Sequence, residues 1–61
     1  MITHVDDATL DAMDRYGGSF VRQLATLYRV SDPNNQATLR HAFGIVFAQY
    51  AGMAELAKRQ E

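Results

Sequence analysis

The dipeptide Asp32-Pro33 constrains the fold of this chain more than any other local feature. Proline favours the first position of a helix, where its fixed φ suits the helix and its missing N–H costs nothing. It also keeps the preceding residue out of the α region, as a helix N-cap requires, and aspartate is a preferred N-cap residue. The pair therefore predicts a turn that divides the chain into two helical segments.

The segment before this turn has the apolar spacing of a helix over residues 7–28. Asp6 is its predicted N-cap, and Val5 and Leu10 are placed to form a hydrophobic staple around that cap. Apolar residues then recur every three or four positions, which predicts a seam along one helix face. The residues of this seam are Leu10, Met13, Phe20, Leu24 and Leu27.

Gly17-Gly18 interrupts the first segment. Two glycines inside a helix cost about 2 kcal/mol relative to alanine. One interpretation is a break, in which Tyr16 ends one helix and Ser19 caps the next. The other is a continuous helix in which Gly17 lets a neighbouring backbone approach closely. The sequence leaves both open.

The segment after the turn predicts a second helix over residues 34–59. Its apolar stripe comprises Leu39, Phe43, Val46, Tyr50, Met53 and Ala57, widened by Phe47 and Ala54. Gly44, Ala48 and Gly52 recur every four residues, a spacing that allows a close helix crossing. Gly44 also raises, more mildly, the question of a break.

Two helices and a short loop predict an all-α fold, an antiparallel helical hairpin that becomes three helices if Gly17-Gly18 breaks. Residues 1–61 form one small domain. Such a short chain has a thin stability margin, and with no cysteine it has no disulfide to add to it. Because two helices cannot bury so wide a stripe, we expect a homodimer that forms a four-helix bundle. The expected dimer interface comprises Phe43, Gly44, Phe47, Ala48 and Tyr50.

Two sets of charged residues stand out in the first segment, although the net charge is only −1. The acidic set is Asp7, Asp11 and Asp14, and the basic set is Arg15, Arg22 and Arg29. The arginines are spaced by seven, so on one continuous helix they would form a line suited to carboxylates or phosphates of a partner. Both sets are predicted partner-binding residues, and both patterns are also typical of solvated helix faces.

Motifs that would indicate catalysis are missing from the sequence. It has no phosphate-binding glycine loop, no paired-histidine metal motif and no nucleophile elbow. We therefore expect no enzyme activity, no cofactor and no metal. The longest uncharged stretch, 42–54, is shorter than the roughly 20 residues needed to cross a bilayer, and no signal peptide is visible. We expect a cytoplasmic protein without membrane contact, and the balanced charge makes nucleic acid an unfavoured partner.

A longer pattern resembles a family of short, mostly uncharacterised phage and prophage proteins. It consists of Tyr16-Gly17-Gly18-Ser19-Phe20, Leu24-Ala25, Asp32-Pro33-Asn34-Asn35, Leu39, Ala42-Phe43, Phe47 and Tyr50. Some members carry proline in place of Gly44, which leaves open whether the second helix bends there. The resemblance implies a phage-derived accessory protein in the host cytoplasm that binds a host or phage protein and inhibits a host defence complex. The alternatives are a structural scaffold of helical bundles and nucleic-acid binding through arginine lines of a dimer.

Overall fold

A computed structural model of the chain describes residues 4–59. This part of the chain contains four helices and no strand, which confirms the all-α prediction. The helices are α1 (Asp7–Tyr16), α2 (Ser19–Val30), α3 (Pro33–Ala42) and α4 (Gly44–Arg59). Each of the two predicted long helices is thus divided in two, so a simple two-helix hairpin is not what forms.

The start of α1 follows the prediction. The Asp6 carboxylate accepts hydrogen bonds from the Thr9 backbone N–H at 2.9 Å and from the Thr9 hydroxyl at 2.7 Å. These two bonds stabilise the charged form and lower the pKa of Asp6 below its usual value. Val5 and Leu10 are both buried in the core, as the hydrophobic staple requires.

The chain breaks between α1 and α2 at Gly17-Gly18, where both residues have extended backbone. Gly17 also lies in close contact with its surroundings. A Cβ at Gly17 would collide with Val21 and with the carbonyl oxygen of Met13, whereas a Cβ at Gly18 would meet nothing within 4 Å. Of the two interpretations, the break is correct, and the close approach at Gly17 is to α2 of the same chain.

The turn between α2 and α3 is built as predicted. Asp32 is the N-cap of α3, accepting a hydrogen bond from the Asn35 backbone N–H at 2.8 Å, and Pro33 is the first helical residue. The Gln36 side-chain amide donates to the Tyr28 carbonyl oxygen at 3.0 Å. This bond ties α3 back to the end of α2.

The prediction of one helix over residues 34–59 is wrong, because the chain turns at Phe43. Its φ of −121° and ψ of 28° leave the helical region, and α4 begins anew at Gly44. Glycine weakens a helix at this point, and tertiary packing sets the direction of the turn. Phe43 packs edge-on against Phe20 of α2, while Phe47, one turn later, enters the core against Tyr28. The turn lets α4 pack along α1, the most extensive helix contact in residues 4–59.

The core lies between α1, α2 and α4. Phe47 and Met13 have no exposed surface. They pack with Val5, Leu10, Leu24, Ala25 and Tyr28. The predicted seam is therefore only partly correct, since Phe20 is 59% exposed and Leu27 is 50% exposed. On α4 the buried positions are Phe47 and Ala54, the residues predicted only to widen the stripe.

Candidate functional site

An apolar groove lies at the corner where α3 meets α4, and we call it the corner groove. Its volume is about 810 Å³. Arg40 and His41 supply its polar side. Its apolar lining includes Phe43, Gly44, Ile45, Val46, Ala48 and Ala51. Ile45 is 88% exposed, the highest value among the large apolar residues of the described chain, so the groove offers uncovered apolar surface.

The apolar surface continues beyond the corner groove onto α2. The rings of Phe20 and Phe43 meet edge to face with their centroids 5.8 Å apart. Phe20 remains 59% exposed even so. Contiguous exposed apolar surface of this kind is typical of sites that bind another protein.

Arg40 lines the corner groove and also contacts a residue of the core. Its guanidinium donates a hydrogen bond to the Tyr28 hydroxyl at 2.6 Å. The Tyr28 ring is buried and packs edge to face on Phe47, with centroids 5.2 Å apart. Within residues 4–59 the salt bridges are both made by Arg29. The guanidinium of Arg40 is therefore positioned by a phenol, and no carboxylate of that region lies within ion-pair distance of it.

The outer side of α4 forms a second uncovered apolar surface, which we call the open face. It shares Ile45 and Ala48 with the corner groove and continues along α4 through Gly52 and Leu56, with the exposed polar Gln49 on the same side. They lie on the side of the helix opposite Phe47 and Ala54, which face the core. Leu56 is 58% exposed. Helix α4 is therefore apolar on two opposite sides, of which this chain covers one.

The predicted acidic and basic sets do not form two separate surfaces. Arg29 lies 2.7 Å from Asp14 and 3.3 Å from Asp11, because the turn at Gly17-Gly18 folds α2 back along α1. The same turn places Arg15 and Arg22 on different helices. The expected arginine line on one continuous helix is therefore not formed, and three of the six predicted residues form ion pairs with one another.

The remaining predicted binding residues are exposed but scattered. Asp7 and Arg29 line one hollow of about 300 Å³, which Arg40 also borders. Arg15 lines another hollow of about 300 Å³ with Lys58 on α4. Arg22 is exposed on α2. None of the six lines the corner groove.

The residues predicted for a dimer interface divide into two groups. Phe43, Gly44 and Ala48 line the corner groove. Tyr50 is half-buried against the core, and Phe47 has no exposed surface. A contact between chains through Phe47 would therefore require the helices to separate, since its ring is already enclosed by its own chain.

Ile45 and Leu56 were not among the predicted binding residues, although the sequence contains a pattern that indicates them. Their spacing of eleven with Gly52 between them is helical, and it defines an apolar face apart from the predicted stripe. Tyr28, which is buried and holds Arg40, was not among the predicted residues either.

The chain matches no known family model, and no curated protein or solved structure is significantly similar to it. Two further observations concern residues 4–59. They contain no group of three or more acidic or histidine side chains that could hold a metal ion. No helix in that range has the length and apolar character needed to cross a membrane.

Proposed function

We propose that this chain is a small accessory protein that acts by protein–protein binding, and that the corner groove is its main binding surface. The observation that carries the proposal is the exposure of Ile45 in the lining of an apolar groove. Burying an exposed side chain of this size yields about 1.5–3 kcal/mol. A groove that collects several such side chains is therefore suited to a helix of another protein chain.

The polar side of the corner groove adds selectivity to this binding. Arg40 is held in place by the Tyr28 hydroxyl, so its guanidinium need not be ordered when a partner binds. A guanidinium beside apolar surface favours a helix that carries a carboxylate next to its apolar residues. We expect neutral or basic helices to bind more weakly.

The biological role that we propose is inhibition of a host defence complex by a phage-derived protein. The resemblance of residues 16–50 to short phage proteins supports this role. Arg15, Arg22 and Asp7 remain exposed and are candidates for contacts with the host complex. The scaffold role is a second candidate, favoured by the two apolar sides of α4. Nucleic-acid binding is less favoured, because Asp11 and Asp14 neutralise Arg29.

Site-specific photo-crosslinking in cells tests the binding surface. A photoreactive residue replaces Ile45, and in a matched control it replaces Gln23, an exposed polar residue of α2. We expect a discrete covalent product with a protein chain from position 45 and none from position 23. Equal labelling from both positions, or none from either, contradicts the corner groove as the binding surface.

A plating assay tests the proposed role. Cells with an active defence system express the chain or its Ile45→Glu variant, and a phage restricted by that system is plated on them. We expect the wild-type chain to raise the plating efficiency and the variant to leave it low. If neither chain changes plating for any defence system tested, the inhibitor role is contradicted while the binding surface stands.

A further inference from the structure

Gly52 has no explanation within the single chain. Glycine destabilises a helix interior relative to alanine, yet Gly52 lies in the middle of α4 and is exposed. A Cβ at this position would meet nothing within 4 Å, in contrast to Gly17, where the packing of α1 and α2 requires glycine. A small residue on an exposed helix surface allows another helix to approach closely. Ile45 and Leu56, exposed on the same side of α4, make the surface around Gly52 largely apolar.

The side chains of the open face are arranged symmetrically by size. Large residues, Ile45 and Leu56, stand at the two ends, and small residues, Ala48 and Gly52, stand between them beside the exposed Gln49. An antiparallel second copy would place Ala48 against Gly52 of its partner. This antiparallel arrangement also places Ile45 of each chain near the partner's Leu56. The open face is therefore complementary to itself under a two-fold axis, as an isologous interface requires.

The charges beside the open face are complementary under the same operation. Glu55, the acidic residue of α4, follows Ala51 by four residues and Ala48 by seven, so it lies along the side that borders the corner groove. In its own chain it is about 15 Å from the level of Ile45, from the rise per residue. An antiparallel copy brings Glu55 beside the Arg40 and His41 side of its partner's groove. Each dimer would contain this pairing twice.

The surface area of the chain allows such an interface. Its accessible surface is 4342 Å², compared with about 4000 Å² expected for a monomer of this mass. A standard interface takes roughly 800 Å² from each partner. An interface of that size would therefore use less than a fifth of the surface.

We propose that α4 of a second copy packs antiparallel to the first, crossing it between Ala48 and Gly52 and occupying the corner groove. This inference rests on the proposed function, because it takes the corner groove as a protein-binding surface and names its occupant. The dimer leaves Arg15 and Arg22 outside the α4 contact. Helix α4 is thereby buried on both of its apolar sides.

Disulfide trapping between two variants tests this arrangement. The chain has no cysteine, so an engineered thiol is unique. Ala48→Cys and Gly52→Cys, one of them carrying a size tag, are mixed in equal amounts and oxidised. We expect the mixed disulfide to exceed either same-site disulfide severalfold. Gln23→Cys mixed with either variant is the control and should give only background, and circular dichroism verifies that each variant is helical.

The other outcomes overturn the inference. Predominance of same-site disulfides contradicts the antiparallel arrangement, and folded variants that form no disulfide contradict a second copy in the groove. In that last case, photo-crosslinking from position 45 separates the two proposals. A product with a different protein leaves the groove as a binding surface, whereas no product removes both.

Discussion

The α1–α2 half and the α3–α4 half of this molecule are stabilised in different ways. In the first half, directional contacts fix the geometry: the Asp6 cap, the close packing at Gly17 and the ion pairs of Arg29. The second half also has directional contacts, at Asp32 and Arg40, but α3 contributes no buried residue, and the start of α4 leaves Ile45 exposed. Only the inner side of α4, which carries Phe47, belongs to the core.

This difference supports our proposal that the first half is complete within a single chain, whereas the second half binds another chain. A domain of this size has little core to spare, and its stability rarely exceeds about 3–5 kcal/mol. Burying the apolar surface that is uncovered at the α3–α4 corner would therefore add a sizeable fraction to this stability. The account predicts that substitutions in the first half change folding, whereas substitutions on the open face change association.

The largest expected effect comes from Phe47→Ala, which removes the centre of the shared core. Truncating a buried phenylalanine costs about 3–5 kcal/mol, comparable to the whole stability of such a chain. We expect loss of the helical circular dichroism signal at room temperature. The control is Ile45→Ala, a truncation on the same helix at an 88% exposed position. If both variants melt like the wild type, the division between inner and outer sides of α4 is wrong.

The paired variants Gly17→Ala and Gly18→Ala test the first half. A Cβ at Gly17 collides with Val21 and a backbone oxygen, whereas one at Gly18 meets open space. Overpacking of this kind costs about 1–3 kcal/mol, so Gly17→Ala should lower the midpoint of urea unfolding. Gly18→Ala should lower it less, because its Cβ meets nothing and alanine there is only a weaker N-cap of α2 than glycine. Equal effects at the two positions would show that the contact between α1 and α2 is looser than described.

The two helix caps sharpen the comparison between the halves. Replacing a capping aspartate by alanine costs about 0.5–2 kcal/mol. We expect Asp6→Ala to cost more than Asp32→Ala, because Asp6 also accepts the Thr9 hydroxyl and is flanked by the buried Val5. Chemical denaturation of both variants measures the difference. A larger loss from Asp32→Ala would place the more important cap in the second half.

The Asp6 cap should also depend on pH. Its hydrogen bonds from Thr9 lower the pKa of Asp6 in the folded chain below the ordinary 3.8. The stabilisation is therefore complete well above pH 3.8 and is lost as the pH falls through the folded-state pKa. We expect the stability difference between wild type and Asp6→Ala to narrow below that value. A difference that grows in acid would contradict the assignment.

The smallest expected effect is that of Arg29→Met. The Arg29 side chain is 38% exposed, and exposed ion pairs contribute about 0.2–1 kcal/mol. We expect a small loss of stability at low salt that largely disappears at high salt, because salt screens the attraction. Arg22→Met, which removes an exposed arginine of the same helix, is the matched control. A loss that does not respond to salt would indicate packing of the arginine stem rather than charge.

The features that sequence predicts well here are those set by neighbouring residues. Asp6 and Asp32 act as caps through contacts three residues away, and Pro33 acts through its own geometry. The sequence left the break at Gly17-Gly18 as one of two alternatives. Helix propensity gives the cost of two glycines in a helix, but it does not give the packing free energy that could offset that cost. The turn at Phe43 depends on Phe20 and on the core position of Phe47, which are distant contacts that local spacing does not report.

The candidate site was predicted only in part, again because local spacing is visible in the sequence and distant contacts are not. Small residues at helical spacing pointed to Gly44 and Ala48, and both line the corner groove. The charged sets were assigned on a continuous helix, so the pairing of Arg29 with Asp14 could not be foreseen. That pairing depends on the direction in which the chain turns after α1.

The central claim is that the α3–α4 half is covered by a second chain, and the mass in solution tests it most directly. Sedimentation equilibrium over a dilution series compares the wild type with Ile45→Glu. We predict a wild-type mass of twice 6.8 kDa that falls towards the monomer on dilution, and a helical but monomeric Ile45→Glu variant. A wild-type chain that remains at 6.8 kDa at every concentration would contradict the account.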